Sequence, residues 1–256
     1  MPLYPKQAPD LPLAINTYST ELRQDIMEAI RDVIREEPSE ITPVSKENVA
    51  EVNLRDMPDS VPSVVGLCGK PRAGKDVVAE YIIKHYKGVT SFAFSDGIRE
   101  EVNRYLAEYS YDSGRKHFIT PENKSEPHYR HLLQAWGNAR RAEDPNYWAK
   151  QGQKIAKQLL SQGARLVIIT GVRAPGEVEA IHEMHGDVLR VVRPGNTYAA
   201  EHSAETGLDH LSDDTFITIY NTIEDNLEAY EENIEAVLHD LPQPHLPVGN
   251  PSPAIL

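Results

Sequence analysis

The stretch Gly69-Lys70-Pro71-Arg72-Ala73-Gly74-Lys75-Asp76 constrains this chain more than any other. It follows an apolar run, Val64-Val65-Gly66-Leu67-Cys68, of buried-strand composition. It precedes Val77-Val78-Ala79-Glu80-Tyr81-Ile82-Ile83, where apolar residues recur at helical spacing. Strand, glycine-rich turn and helix in that order fit the phosphate-cradling pattern GxxxxGK[ST] everywhere but at its last position, where Asp76 stands. Gly69 and Gly74 permit positive φ and close approach of a ligand, so successive N–H groups can converge on phosphate oxygens at a helix N-terminus. Lys75 is the compact charge that reaches β- and γ-phosphates. Asp76 replaces the usual hydroxyl with a carboxylate, a hard oxygen ligand for Mg²⁺ that also brings negative charge. The expectation is an ATP site built from Gly69, Lys70, Pro71, Arg72, Ala73, Gly74, Lys75 and Asp76, with the metal at Asp76.

At 256 residues and 40% apolar content the chain can bury one substantial core, and its 19 prolines gather near both ends. Three segments are expected: an extension over 1–62 with one amphipathic helix and a linker, a nucleotide-binding domain over 63–240, and a proline-rich tail over 241–256. Cys68 is the single cysteine, which excludes internal disulfides and a multi-cysteine zinc site. Its place in the strand suits a buried packing residue better than a nucleophile. His182 and His185 stand three apart but have no convincing third ligand for zinc. No apolar run approaches the ~20 residues of a membrane span, and MPLYPKQAPD lacks the order of a secretion signal, so a soluble cytoplasmic protein without a membrane partner is expected.

A formal charge of −13 argues against a general duplex-DNA binder. Residues 201–240 hold twelve acidic and no Lys or Arg residues, whereas 110–173 hold eleven basic and five acidic ones. An acidic body with one basic region suits a small phosphorylated substrate.

Ser19 or Thr20 could cap a helix with an apolar stripe of Leu22, Ile26, Ile30 and Val33 or Ile34, ending before Pro38. That stripe needs cover, from the core or from a second subunit in a homodimer. The run from Glu40 to Pro62 reads as linker. Further strands are expected at Val89–Phe94, Leu166–Val172, Val188–Val192 and Thr215–Tyr220. Helices are expected at Asp96–Tyr109, Glu126–Arg141, Pro145–Leu160, Glu177–His185 and Glu224–Leu238. Such alternation implies an α/β fold with a roughly five-stranded, mainly parallel sheet covered on both faces, and ligands outside the carboxyl ends of the strands.

Six separated motifs occur in order: the GKD-ending loop, Leu132-Leu133-Gln134-Ala135-Trp136-Gly137, Tyr147-Trp148, Gly171-Val172-Arg173, Val191-Val192-Arg193-Pro194-Gly195 with Arg190 before it, and His202-Ser203-Ala204-Glu205. Taken together they resemble the deoxynucleoside monophosphate kinases of tailed bacteriophages, from about Val64 to Leu238. The resemblance implies a P-loop NTPase-type three-layer fold of nucleoside monophosphate kinase type. It also implies transfer of phosphate from ATP to a deoxynucleoside monophosphate, with Mg²⁺. Other readings are a P-loop kinase acting on a hydroxymethylated base within DNA and a catalytically weak nucleotide-binding module.

Lys75, Asp76 and Arg173 are the expected catalytic set. Arg99, Arg140, Arg141 and Arg173 offer planar forks for an acceptor phosphate, and Arg173 leads because it follows a strand end. Gln134 could read a base edge or simply pack, and Trp136, Tyr147 and Trp148 could stack on a base or serve the core. Asp96 could orient Arg99, contact the acceptor or cap a helix. The resemblance places His202 and Glu205 in a segment closing over the nucleotides. The chain departs from the family in two places: Gly171 stands where Asp is usual, which leaves Asp76 as the metal anchor helped by Asp96, Glu177 or Glu205. Asn138-Ala139 replaces a Thr-Glu or Thr-Asp pair, which leaves base specificity open.

Overall fold

The computed structural model describes residues 19–36, 54–113, 117–196, 207–221 and 227–241. The chain divides into two compact units, Met1–Glu51 with Phe92–Lys157 and Val52–Ser91 with Gln158–Leu256. The division interleaves along the sequence instead of following the expected boundary at residue 62.

The second unit is built around a sheet. The strands are β1 (Val64–Cys68), β2 (Val89–Ala93, of which this unit takes the part up to Ser91), β3 (Leu166–Thr170), β4 (Asp187–Val192) and β5 (Ile217–Tyr220), in the order β2-β3-β1-β4-β5. β1 pairs in parallel with β3, Val64 facing Val167, and with β4, Cys68 facing Arg190. β4 pairs in parallel with β5, Val192 facing Tyr220. All five β1 residues are buried, as its continuous apolar run requires of a central parallel strand.

Side chains alternate between the two faces of β1. Val65 and Leu67 join Val78 and Ile82 of α2 (Lys75–His85) and Ile234 and Leu238 of α7 (Leu227–His239) in one core. On the other face α6 (Pro175–His182) comes so close that a Cβ on Gly66 would lie 2.5 Å from Ile181 Cδ1. Helices thus cover both faces in the expected three-layer α/β arrangement. Each fully buried Ile or Leu contributes about 1.5–3 kcal/mol by its removal from water.

The expected linker differs over its last part. Arg55 bridges Tyr86, its N–H donating to His85 O at 2.8 Å and its carbonyl accepting from Lys87 N–H at 2.9 Å, while Met57 and Val61 enter the sheet core. Arg165 Nη2 donates to the carbonyls of Pro58 and Val61, at 3.2 and 3.0 Å. Two apolar side chains and satisfied backbone groups are enough to build in a stretch whose prolines and charges look like linker.

The first unit is helical: α1 (Thr20–Arg35), α3 (Phe94–Ser113), α4 (Pro127–Glu143) and most of α5 (Tyr147–Ser161). Ser19 Oγ caps α1 by accepting Leu22 N–H at 3.3 Å. Ile26, Ala29, Ile30 and Val33 are buried in one cluster with Leu132, Ala135 and Ala139 of α4. The stripe of the amino-terminal helix therefore finds its cover within this chain. Among the described residues no helix is long and apolar enough to cross a membrane.

Candidate functional site

The loop after β1 adopts the conformation its glycines permit. Gly69 has φ 135° and Gly74 φ 99°, and neither position accepts a side chain: a Cβ would lie 2.3 Å from Val191 O at the first and 2.4 Å from Asn221 Nδ2 at the second. Gly74 is the N-cap of α2, and no side chain caps that helix. Lys75 Nζ folds back across the loop and donates to the carbonyls of Gly69 and Lys70, both at 2.9 Å. Its ammonium thereby lies on the concave side of the turn.

Chain order sets where a ligand can enter. From β1 the chain runs to β2 and β3 on one side, whereas β4 and β5 lie on the other, so the crevice outside the carboxyl ends of β1 and β4 is the switch point of the sheet. A cavity of about 300 Å³ occupies that place within the sheet unit. Lys70, Lys75, Arg173, Arg190 and Arg193 line it against one acid, Asp209. Five cations around one hollow, in a chain of formal charge −13, concentrate positive charge there.

Arg173, which follows β3, shares the cavity with the loop. Buried Glu177 sets it there: Glu177 Oε2 accepts the backbone N–H groups of Arg173 at 2.7 Å and Ala174 at 3.1 Å. Glu177 is thus engaged in turning the backbone, which corrects its expected role as helper to the metal. Arg190 is held by Asp213 Oδ1 at 2.6 Å and lies over the Phe216 ring, 3.7 Å from its centroid. Cys68, also at the cavity wall, is buried, and that burial pushes its thiol up to about 11 despite Arg190 and Lys75 nearby. A packing residue fits this state and a thiolate nucleophile does not.

The remaining acceptor candidates, apart from His202 and Glu205, belong to the helical unit. Asp96 Oδ2 accepts Ala93 N–H at 2.8 Å and Oδ1 pairs with Arg99 Nη1 at 2.9 Å, so Asp96 both closes the start of α3 and orients Arg99. Gln134 and Arg141 are half-buried. Trp136 is 1% exposed, Trp148 2% and Arg140 5%. Glu101 explains two of them: its Oε2 accepts from Trp136 Nε1 and Arg140 Nε, each at 3.0 Å, and its Oε1 accepts from the Tyr147 hydroxyl. Trp148 Nε1 donates to Gly137 O at 3.2 Å. For Trp136 and Trp148 the core alternative holds, and the expectation that Arg140 takes an acceptor phosphate is corrected: rings and guanidinium are enclosed, with both indole N–H groups and Arg140 Nε hydrogen-bonded inside the unit. His202 and Glu205 lie outside the described residues.

A triphosphate fits the loop, because both glycines are sterically required and the amides of an uncapped helix N-terminus lie beside Lys75. For Mg²⁺ the protein supplies little. Asp76 is exposed in the first turn of α2, and among the described residues no group of three or more His, Cys, Asp or Glu could hold a metal ion. One carboxylate with phosphate oxygens and water completing the shell is the usual way in which Mg²⁺ accompanies a nucleotide. At Gly171 (φ 71°) a Cβ would meet nothing within 4 Å, so the missing carboxylate leaves open space. Arg72, with φ 60°, is exposed and outside the cavity lining.

Residues 115–230 match the model of the deoxynucleotide monophosphate kinase family. The chain resembles that family. The match takes in α4, β3, Arg173, β4 and β5 and stops short of the loop at 69–76, so the loop pattern is a line of argument separate from it. They support the coarse reading of a nucleotide kinase, with ATP the implied phosphoryl donor and nucleotides the implied small-molecule substrates. The uncharacterized protein ORF77 of Ictalurid herpesvirus 1 (strain Auburn) is 29% identical over 180 residues, covering 69% of this chain and 70% of the relative. An unliganded crystal structure of a sugar kinase from Janibacter sp. HTCC2649 aligns over 69% of this chain and 92% of its own, at 14% identity and a TM-score of 0.37.

Arg190, Arg193, Asn196 and Asn221 beside the loop, and Glu101 in the helical unit, were given no role from sequence. The two arginines stand in the VxRPG-type strand end, which was legible as a motif. The asparagines and Glu101 act through contacts that no local pattern carries.

Proposed function

We propose that this protein transfers the γ-phosphoryl group of ATP to the phosphate of a deoxynucleoside monophosphate, giving ADP and the diphosphate. The observation that carries the reading is the cavity in which the glycine loop, Lys75 and Arg173 meet at the switch point of the sheet. Phosphoryl transfer asks for in-line positioning and for cations where charge develops, and little covalent chemistry.

In this account the loop amides and Lys75 hold the donor phosphates. Lys75 exchanges two carbonyl partners for phosphate oxygens, keeping its hydrogen bonds while gaining a counter-charge. Asp76 would hold the Mg²⁺ that neutralises the β- and γ-oxygens. Arg173, its backbone fixed by Glu177, takes the acceptor phosphate with a planar fork, and Arg190 and Arg193 add positive field.

Incubation with ATP, Mg²⁺ and a panel of common and base-modified deoxynucleoside monophosphates, with products read by mass, tests this directly. Appearance of at least one diphosphate with equimolar ADP is expected. Failure of well-folded, ATP-binding protein to phosphorylate any of them overturns the reading, and phosphate entering polymeric DNA alone would replace it with the base-in-DNA activity.

A further inference from the structure

The phosphate loop is held from behind by side chains that come from distant parts of the chain. Asn196 Nδ2 donates to Pro71 O at 3.0 Å, Asn221 Nδ2 to Ala73 O at 2.7 Å and the Tyr230 hydroxyl to Gly74 O at 3.2 Å. With Lys75 on the carbonyls of Gly69 and Lys70, the acceptors of five loop residues are engaged. A trans peptide is planar, with its C=O and the following N–H pointing opposite ways. Tying the Ala73 carbonyl to Asn221 therefore turns the Gly74 N–H away from Asn221. Tying the Gly74 carbonyl to Tyr230 does the same for the Lys75 N–H.

Asn221 is itself enclosed. It is 3% exposed, and its backbone N–H donates to Val192 O at 2.8 Å, extending the β4–β5 pairing by one residue. Its amide also fills the space beside Gly74, where a Cβ would come within 2.4 Å. We propose that Asn221, seconded by Tyr230, is a positioning residue for the donor phosphates: it fixes the orientation of the loop amides through the Ala73 carbonyl and never touches the nucleotide. A polyphosphate then meets a nest already formed, so that binding does not have to supply the ordering of the loop.

The inference rests on the reading of residues 69–75 as a phosphate site, and inorganic tripolyphosphate separates the two. Asn221→Asp keeps shape but replaces the donor with an oxygen facing another oxygen. Calorimetric titration of wild type and variant with tripolyphosphate, well below both melting temperatures, is expected to show affinity lower by about tenfold or more in the variant. In turnover, KM for ATP should rise while KM for the acceptor does not, a split that general loosening of the fold would not produce. Equal tripolyphosphate affinity in folded Asn221→Asp, or equal rises in both KM values, overturns the inference while leaving the kinase reading intact. Wild type without tripolyphosphate affinity defeats both. Should Asn221→Asp fail to fold, Tyr230→Phe decides, with a loss of about threefold or more expected and unchanged affinity refuting the inference.

Discussion

Replacing Gly69 and Gly171 by alanine puts the loop geometry to a quantitative test, because the two positions share a positive φ and differ in what surrounds them. At Gly171, φ is 71° and an added Cβ meets nothing within 4 Å, so Gly171→Ala pays only the left-handed conformational penalty of about 1–2 kcal/mol. At Gly69, φ is 135° and the Cβ would lie 2.3 Å from Val191 O, a backbone atom of β4 that cannot rotate away. Relief requires moving the strand or the loop, at about 1–3 kcal/mol beyond the backbone strain, so Gly69→Ala should cost roughly 3 kcal/mol or more. Urea unfolding followed by far-UV circular dichroism gives both values. Because the movement displaces Lys70 and the carbonyls gripped by Lys75, ATP affinity should fall in Gly69→Ala even where the protein remains folded. Equal destabilisation by the two substitutions, or undiminished ATP binding by Gly69→Ala, would refute the argument.

Other outcomes follow from the same contacts. Lys75→Ala should lower turnover by roughly 10²-fold or more with the melting temperature little changed, as read in a coupled ADP assay. Burial pushes the Glu235 carboxyl up, yet hydrogen bonds from Tyr86, Tyr81 and Arg55 with the Arg55 charge leave it below the ordinary carboxylate range. Its stabilisation is therefore present above that range and lost as pH falls through the depressed value. Glu235→Gln should cost about 2 kcal/mol at pH 7, with the gap to wild type closing as the pH drops below about 4, as measured by urea unfolding. Cys68, with its thiol pushed up to about 11, should react with iodoacetamide at pH 8 at least 100-fold more slowly than in unfolded protein, followed by mass; rapid labelling of the native state would contradict its burial.

What could be read from sequence was what local pattern carries. The strand, loop and helix around Gly69–Asp76 were legible because turn chemistry, apolar periodicity and glycine spacing all act within about twenty residues, and the same holds for the five strands. Arg173 could be singled out because a strand end in an α/β sheet is where ligands gather. Trp136 and Arg140 stayed open because an indole or guanidinium reads alike whether it meets a ligand or a buried acid, and the deciding partner, Glu101, lies 35 and 39 residues from them. Residues 54–62 looked like linker because only two spaced apolar side chains, Met57 and Val61, commit them to the core. Asn221 was out of reach for the same reason, since its bond to Ala73 O spans 148 positions.

A crystal structure with Mg²⁺ and a non-hydrolysable ATP analogue tests the central claim most directly. The account predicts the triphosphate in the cavity of about 300 Å³, with Lys75 Nζ moved from the carbonyls of Gly69 and Lys70 onto the β- and γ-phosphate oxygens and Arg173 facing the terminal phosphate. Nucleotide bound elsewhere, with Lys75 still seated on those two carbonyls, would contradict it.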